Sequence, residues 1–249
     1  MRKLMFVPAL LVAGLLAAPL VTANDKDKTY EEKDKKEVKV SAEDKQKAEA
    51  RLTEAEEVLK ASVTAPDQGI PKNLLERAEC VGVFPGVKKG ALIVGGAGGK
   101  GVFTCKNGNG MTGPAFFKIG GPSIGWQAGV ESADLVLLIM NKEGIDKLLT
   151  DKFKIGADAT AAAGPVGRNT QASTDALLHS QILSWSRTRG LFAGISLEGM
   201  VMTQDKEDNA SIYGKAVEAR EILTTDTLQV PQVAKSFVKT TEQYVRPVS

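Results

Sequence analysis

The chain is short of histidine. His179 is the only one among 249 residues, beside two cysteines, two tryptophans and three tyrosines. One imidazole and one cysteine pair would leave a metal ion little but carboxylates, so no metal and no cofactor is expected. An excess of one charge is also missing, since 32 Lys and Arg face 30 Asp and Glu. A near-neutral chain has no electrostatic footprint for nucleic acid, and no nucleic-acid partner is expected. The one long apolar run, Leu4 to about Ala18, is too short for a membrane span.

That run follows Arg2 and Lys3 and leads to Val21-Thr22-Ala23, small residues of the kind a signal peptidase accepts. The pattern predicts a signal peptide over residues 1–23, cut after Ala23, and therefore an exported protein, periplasmic or secreted. No Cys follows the run, so a lipid-anchored Cys is not expected. Losing Arg2 and Lys3 takes the net charge from +2 to zero. In an oxidising compartment Cys80 and Cys105 read as a disulfide. It would close a loop of about 26 residues and contribute about 3 kcal/mol. Two separate buried thiols remain the alternative, because sequence does not fix how far apart they lie.

Residues 24–40 hold six Lys and six Asp or Glu. Such a segment cannot bury apolar area and reads as a flexible charged tether. A single domain is expected over 41–249. Ser41 and Asp44 suggest a helix cap, and Ala48, Leu52, Ala55 and Leu59 recur at helical spacing to about Ser62. A short helix follows Pro71. From Gly82 to Gly129 the texture changes, with fifteen of the 25 glycines in these 48 residues. Between them lie "CVGVF", "ALIVGG", "GVFTC", "AFFKIG" and "SIGWQAGV", then "ADLVLLIMN", which read as short strands joined by tight turns. A helix is expected over Lys142–Lys152. "ILSWSR" and "GLFAGISLEGMVMT" read as two more strands. A helix capped by Asn209 should run from Ala210 to about Leu223. A last one should open at Pro231 with Val233, Phe237 and Tyr244 inward. The fold class is α+β: a mostly antiparallel, glycine-rich twisted sheet with helices at the N- and C-terminal ends. Closure into a barrel is left open.

Two motifs invite catalytic readings, and neither has the right surroundings. "VGGAGGKGVF" contains a formal G-x-G-x-x-G from Gly96 to Gly101. A dinucleotide loop needs a helix next and an acidic residue about 20 positions on. Here "GVFTC" follows and no acid occurs, so the stretch reads as a glycine hairpin. Gly121-Pro122-Ser123-Ile124-Gly125 matches a nucleophile elbow, with Asp134, Asp146, Asp151, Asp158, Asp175 and then His179 behind it. The helix that must follow Ser123 is interrupted by Gly125 and Gly129. A serine hydrolase is therefore the third reading only, and no enzyme is expected. "DKEDN" at 205–209 lacks the glycine and spacing of a calcium loop. Asn209-Ala210-Ser211 is a glycosylation sequon by pattern alone.

What remains is a set of basic residues near glycine turns: Lys88, Lys89, Lys100, Lys106, Lys118, Arg168, Arg187 and Arg189. Backbone amides with Lys and Arg can hold an anionic head group. Together with "GVFPGVKKGALIVGGAGGKGVF", "PAFFKIGGPSIGWQAGVESADLVLLIMN", "GADATAAAGPVGR" and "RTRGLFAGISLEG", the chain resembles the SYLF domain family over most of Ala48 to Leu223. The resemblance implies a lipid-facing binding domain. Eukaryotic members of that family bind phosphoinositide membranes partly through an amphipathic segment at the domain's start, and fungal members bind actin filaments. The matching segment here, Ser41–Ser62, carries a net charge of −2 and a narrow, alanine-rich stripe. Those features suit packing on its own domain better than binding an anionic membrane. The expectation is thus a non-enzymatic lipid- or membrane-surface-binding domain. Lys88, Lys89, Lys100, Arg168, Arg187 and Arg189 would meet head groups, and Leu191 and Phe192 acyl chains. An envelope protein-interaction or structural module is the alternative.

Overall fold

The computed structural model describes residues 41–65, 69–90, 96–108, 110–122, 132–167, 179–188, 190–225 and 227–246. The chain divides after Glu37, and every described residue lies in the second unit, Val38–Ser249.

Helix α1 (Ala42–Thr64) starts where the cap signal put it, with the Ser41 hydroxyl accepting from the Asp44 amide at 3.0 Å. Its stripe is buried as its spacing implies: Ala48, Leu52, Ala55 and Leu59, with Val58 and Ser62. After Pro71 comes the short α2 (Lys72–Arg77), which buries Leu75.

The middle of the chain forms a ten-stranded sheet. Its strands are β1 (Cys80–Gly90), β2 (Gly96–Asn107), β3 (Gly110–Met111), β4 (Ala115–Pro122), β5 (Ser132–Ile139), β6 (Lys152–Lys154), β7 (Ala161–Ala163), β8 (Ile182–Thr188), β9 (Leu191–Gly194) and β10 (Val201–Gln204). The order is β6-β10-β4-β2-β1-β5-β8-β7, with β3 beside β2 and β9 beside β8. Only the β7–β8 pairing among these is parallel. Two short links join opposite edges of this sheet: 155–160 lead from β6 to β7, and 195–200 from β9 to β10. Chain that short draws the edges together, so the sheet curls into a half-barrel.

Alternation gives the sheet two apolar faces. One carries Phe84, Phe103, Phe117, Leu135, Leu137 and Met202, packed with residues of α3 (Lys142–Leu148) and α5 (Ala219–Thr224). The other carries Val81, Val83, Val102, Phe116, Leu138 and Trp185. It is covered by α1, α2 and α6 (Lys235–Val245), and Phe237 is buried there. Cys80 and Cys105 stand directly opposite each other on β1 and β2 and are joined by a disulfide.

Several boundaries differ from the sequence expectations, each for a local reason. The glycines of "GAGGKG" lie inside β2 rather than in a turn. Gly101 is needed because a Cβ there would sit 2.4 Å from the Phe84 ring, and Gly82 because a Cβ would sit 2.3 Å from the Phe103 ring. The two rings then stack edge to face, with centroids 5.7 Å apart. α3 stops at Leu148, since Lys152–Lys154 pair with β10. "GLFAGISLEGMVMT" gives two strands, β9 and β10, not one. The helix expected from Ala210 begins earlier, as α4 (Lys206–Tyr213), and Asp205 rather than Asn209 caps it. Gly214 ends α4 at φ 70°, and α5 is a separate helix. Pro231 opens a 3-10 turn over Gln232–Ala234 before α6, leaving Val233 45 % exposed instead of inward. Tyr244 is half-buried against the core under α6. The expected strands in "ALIV" and "SIGWQAGV" lie outside the described residues.

Candidate functional site

Four of the expected cationic residues, Lys100, Lys118, Arg187 and Lys88, can be followed on the helix-covered face. Lys100 of β2 lies opposite Lys118 of β4. Both reach the start of α4. Lys100 Nζ meets Asp205 Oδ2 at 2.7 Å and Asp208 at 3.2 Å. Lys118 Nζ meets Asp205 Oδ1 at 3.0 Å and Glu207 at 2.7 Å. Arg51 of α1 closes the group by pairing with Asp208. Asp205 caps α4, where the helix dipole favours an anion, so the lysines answer a charge already placed there by the fold. The ammonium of Lys100 is therefore committed to two carboxylates of its own chain and is not a free head-group ligand.

The two carboxyls titrate in opposite directions. Burial would raise Asp205, but hydrogen bonds with Lys100, Glu207 and Lys118 outweigh it and hold its pKa at about 2. Asp208 is raised, first by burial and then by the charge of Asp205, with Arg51 and Lys100 opposing. Beside them Asn209 is fully buried. Its Oδ1 accepts from the Phe116 amide at 2.7 Å, while its Nδ2 has no hydrogen-bond partner among the described residues. That burial closes the glycosylation sequon in the folded chain. Asp205, Asp208, Asn209 and Arg51 were not expected at a site. The signal available was the i, i+3 pair of acids opening a helix, which the sequence reading assigned to a loop.

Arg187 belongs to a different end of the same face. It lies opposite Asp134 in the β5–β8 ladder, 3.7 Å from it in an ion pair, and its guanidinium stands 5.8 Å over the Phe192 ring. Asp134 also accepts from the Gly86 amide at 2.9 Å. Phe192 is buried beneath this group rather than open to a ligand, whereas Leu191, beside the β8–β9 turn, is 64 % exposed. Lys88 is exposed on β1, opposite Gly98 and Ser132. The register puts Lys88 and Arg187 at one end of the sheet, two strand spacings and two residues apart, or roughly 12 Å. Lys106 points elsewhere and donates to the Glu76 carbonyl. The side chain of Lys89, and Arg168 and Arg189 entirely, lie outside the described residues.

The catalytic alternatives find no support in the described geometry. Residues 96–107 are strand, so no helix begins where a pyrophosphate would need one. Ser123 lies outside the described residues. His179 is exposed, and three of the candidate aspartates are engaged elsewhere: Asp134 with Arg187, Asp151 with Lys206, and Asp158 with the Lys154 amide; Asp175 lies outside the described residues. Among the described residues no group of three or more His, Cys, Asp or Glu could hold a metal ion.

Comparison with known proteins gives the fold a family. A family model described as "Ysc84: Las17-binding protein actin regulator" matches residues 120–244, just over half of the chain. The SH3 domain-containing YSC84-like protein 1 of Rattus norvegicus is 30 % identical over 177 residues, which cover 70 % of this chain and 51 % of the relative. The Homo sapiens protein of the same name is 29 % identical over 168 residues, 67 % of this chain and 49 % of the relative. Protein YSC84 of Saccharomyces cerevisiae is 29 % identical over 184 residues, 72 % of this chain and 39 % of the relative. The chain spans about half the length, or less, of these relatives. On the family match, with the glycine-rich half-barrel and its helix cover, the chain belongs to the Ysc84 family, the family of the SYLF domain.

Proposed function

We propose that this chain is a non-enzymatic binding domain that docks on an anionic lipid surface outside the cytosol. Residues 1–23 would be its export signal, 24–40 a tether and 41–249 the working domain. The observation that carries the reading is the sheet end where Leu191 stands exposed beside the Arg187–Phe192 pair, with Lys88 on the same end. An apolar side chain at a turn, backed by cations, suits a bilayer interface: the one enters the acyl boundary, the others stay with the head groups. Helix α1 is a poor alternative anchor. Lifting it would expose Leu52, Val58 and Leu59, each worth about 1.5–3 kcal/mol buried.

A protein partner is the second reading. It is favoured by the family description, which names Las17 binding and actin regulation for the proteins it covers. Vesicle flotation separates the two. Phosphatidylglycerol vesicles should carry the protein at low salt, neutral phosphatidylcholine vesicles less, and Leu191→Asp should abolish flotation. Failure to float with either vesicle at low salt removes the lipid reading and leaves the protein one.

A further inference from the structure

At the end of the sheet that carries Leu191, a carboxylate stands between two cations. Val136 and Trp185 lie on the helix-covered face, so Asp134 and Arg187, two residues along each strand, follow on it. Arg187 is directly opposite Asp134, and Phe192 is directly opposite Arg187 on the next strand. Lys88 is opposite Ser132, which puts it on the diagonal from Asp134, about 7–8 Å away.

The fold fixes Asp134 there through the main chain. β1 bulges between Phe84 and Val87, with Gly86 at φ 57°. A bulge turns backbone groups out of the ladder, and here Asp134 Oδ1 accepts from the Gly86 amide at 2.9 Å. Only Oδ2 is left for Arg187, and at 3.7 Å it is beyond hydrogen-bond reach. Arg187 rests instead on the Phe192 ring, 5.8 Å from its centroid. Among the described residues its guanidinium has no other partner, and Lys88 has no carboxylate partner. The planar fork of N–H donors, which matches a phosphate, is therefore not spent on Asp134. A part-exposed ion pair of that length contributes little stability. What Asp134 does is subtract one unit of charge from the place where a head group would meet Arg187 and Lys88.

That charge bears on which phosphate is accepted. A phosphodiester carries one negative charge. A phosphomonoester carries nearly two above its second ionisation, near pH 6. A fixed carboxylate about 6 Å away repels the extra charge by a factor of about three in water, and by more where water is excluded. We propose that Asp134 is a selectivity residue, setting this end of the sheet for a phosphodiester monoanion and against a phosphomonoester dianion at Arg187. The proposal rests on the membrane reading and deepens it by naming the class of head group.

The test uses the whole chain at about pH 8, above that second ionisation. Phosphatidylcholine vesicles carry either phosphatidylglycerol or phosphatidic acid, and dimethyl phosphate and methyl phosphate serve as soluble probes of the Arg187 side-chain NMR signal. Asp134→Asn keeps an oxygen for the Gly86 amide and removes the charge, while Asp134→Glu keeps the charge. The wild type should bind methyl phosphate no more tightly than dimethyl phosphate. In Asp134→Asn the affinity for phosphatidic acid relative to phosphatidylglycerol should rise about threefold or more, with the soluble pair moving the same way, and Asp134→Glu should stay near the wild type. An unchanged ratio in Asp134→Asn, an equal rise in Asp134→Glu, or no response of Arg187 to either soluble phosphate overturns the proposal. If Asp134→Asn does not fold, the wild type decides: methyl phosphate bound several times more tightly than dimethyl phosphate overturns it. Flotation kept with an unchanged ratio removes the selectivity alone. A wild type that floats on no vesicle, yet shows the expected soluble preference, removes the membrane reading alone.

Discussion

Lys100 on β2 and Asp205 at the head of α4 are held 2.7 Å apart, and Lys118, Asp208 and Arg51 gather round them. Three elements distant in sequence are tied at one point: the sheet, the helix that follows β10, and α1. With Glu207, which pairs with Lys118, the network holds three cations and three carboxylates and is neutral within itself, which is why two lysines on a sheet face contribute little to the charge the domain shows outward. It also fixes how the domain should respond to acid.

Asp205 has a folded pKa near 2 against an ordinary 3.8, so the fold favours its ionised form. That contribution, about 2 kcal/mol, is complete above pH 4 or so and is lost as pH falls toward 2. Asp208 is shifted the other way. The fold favours its protonated form, a contribution present below the ordinary value and lost as pH rises through the folded one. Asp205→Asn should therefore be most destabilising at neutral pH and nearly harmless near pH 2. Asp208→Asn should become relatively better tolerated as pH rises from 3 to 7. Urea unfolding of both variants across that range measures it, and parallel curves for the two would contradict the opposite shifts.

The covalent tie between β1 and β2 has a measurable weight. Cys80 and Cys105 are 25 residues apart in sequence, and opening that loop should lower stability by about 3 kcal/mol. Cys80→Ala with Cys105→Ala is the comparison, because each side chain is buried and a lone thiol would remain in a single variant. The wild type unfolded without reductant should show no free thiol. Two titratable thiols in protein recovered from an oxidising compartment would mean the bridge does not form there.

Much of the architecture was legible in the sequence because it rests on local rules. The Ser41 cap, the Ala48-Leu52-Ala55-Leu59 stripe and the apolar runs of β1, β4 and β5 follow local capping and period rules that survive in the fold. What was not legible depends on partners far away in sequence. Lys152–Lys154 leave a helical pattern because β10 supplies a ladder. Gly99 and Gly101 look like turn residues, and become strand only once Val87 and Phe84 lie over them. Lys100 looks like a free cation until Asp205, over a hundred positions on, is brought to it. Leu191 and Phe192 were read together as acyl-chain contacts, and only the β8–β9 ladder separates them, leaving Leu191 exposed and Phe192 buried on opposite sides of one strand.

Salt should discriminate between the parts of the lipid-facing end. If Lys88 and Arg187 act through head-group charge, binding to phosphatidylglycerol vesicles falls as ionic strength rises, since the Debye length shrinks from about 10 Å at 0.1 M to about 3 Å at 1 M. Lys88→Glu should weaken flotation at low salt and matter little at high salt. Leu191→Ala should cost a similar factor at every salt concentration, because an apolar insertion is not screened. Identical salt profiles for the two variants would refute this division of roles.

Gly101 and Gly98 of β2 yield a sharp contrast from single substitutions. Gly101→Val places branched carbons where the Phe84 ring and the Val83 carbonyl lie, with the carbonyl oxygen 2.3 Å from the first added atom. Backbone cannot yield there without breaking the β1–β2 ladder on which the Phe84–Phe103–Phe117 stack depends. Overpacking of this kind costs about 1–3 kcal/mol, and more when the obstacle is backbone. Gly98 lies three positions away on the same strand with the same neighbours in the ladder, yet among the described residues a Cβ there would meet nothing nearer than 3.4 Å. Gly98→Val should therefore be neutral or stabilising. Melting midpoints of the two variants, recorded without lipid, give the comparison directly. The strand, the residue type and the substitution are shared, so the difference isolates what lies over each position. Equal destabilisation would mean that Gly98, like Gly101, is covered from within, and that the glycines of β2 serve packing along its whole length.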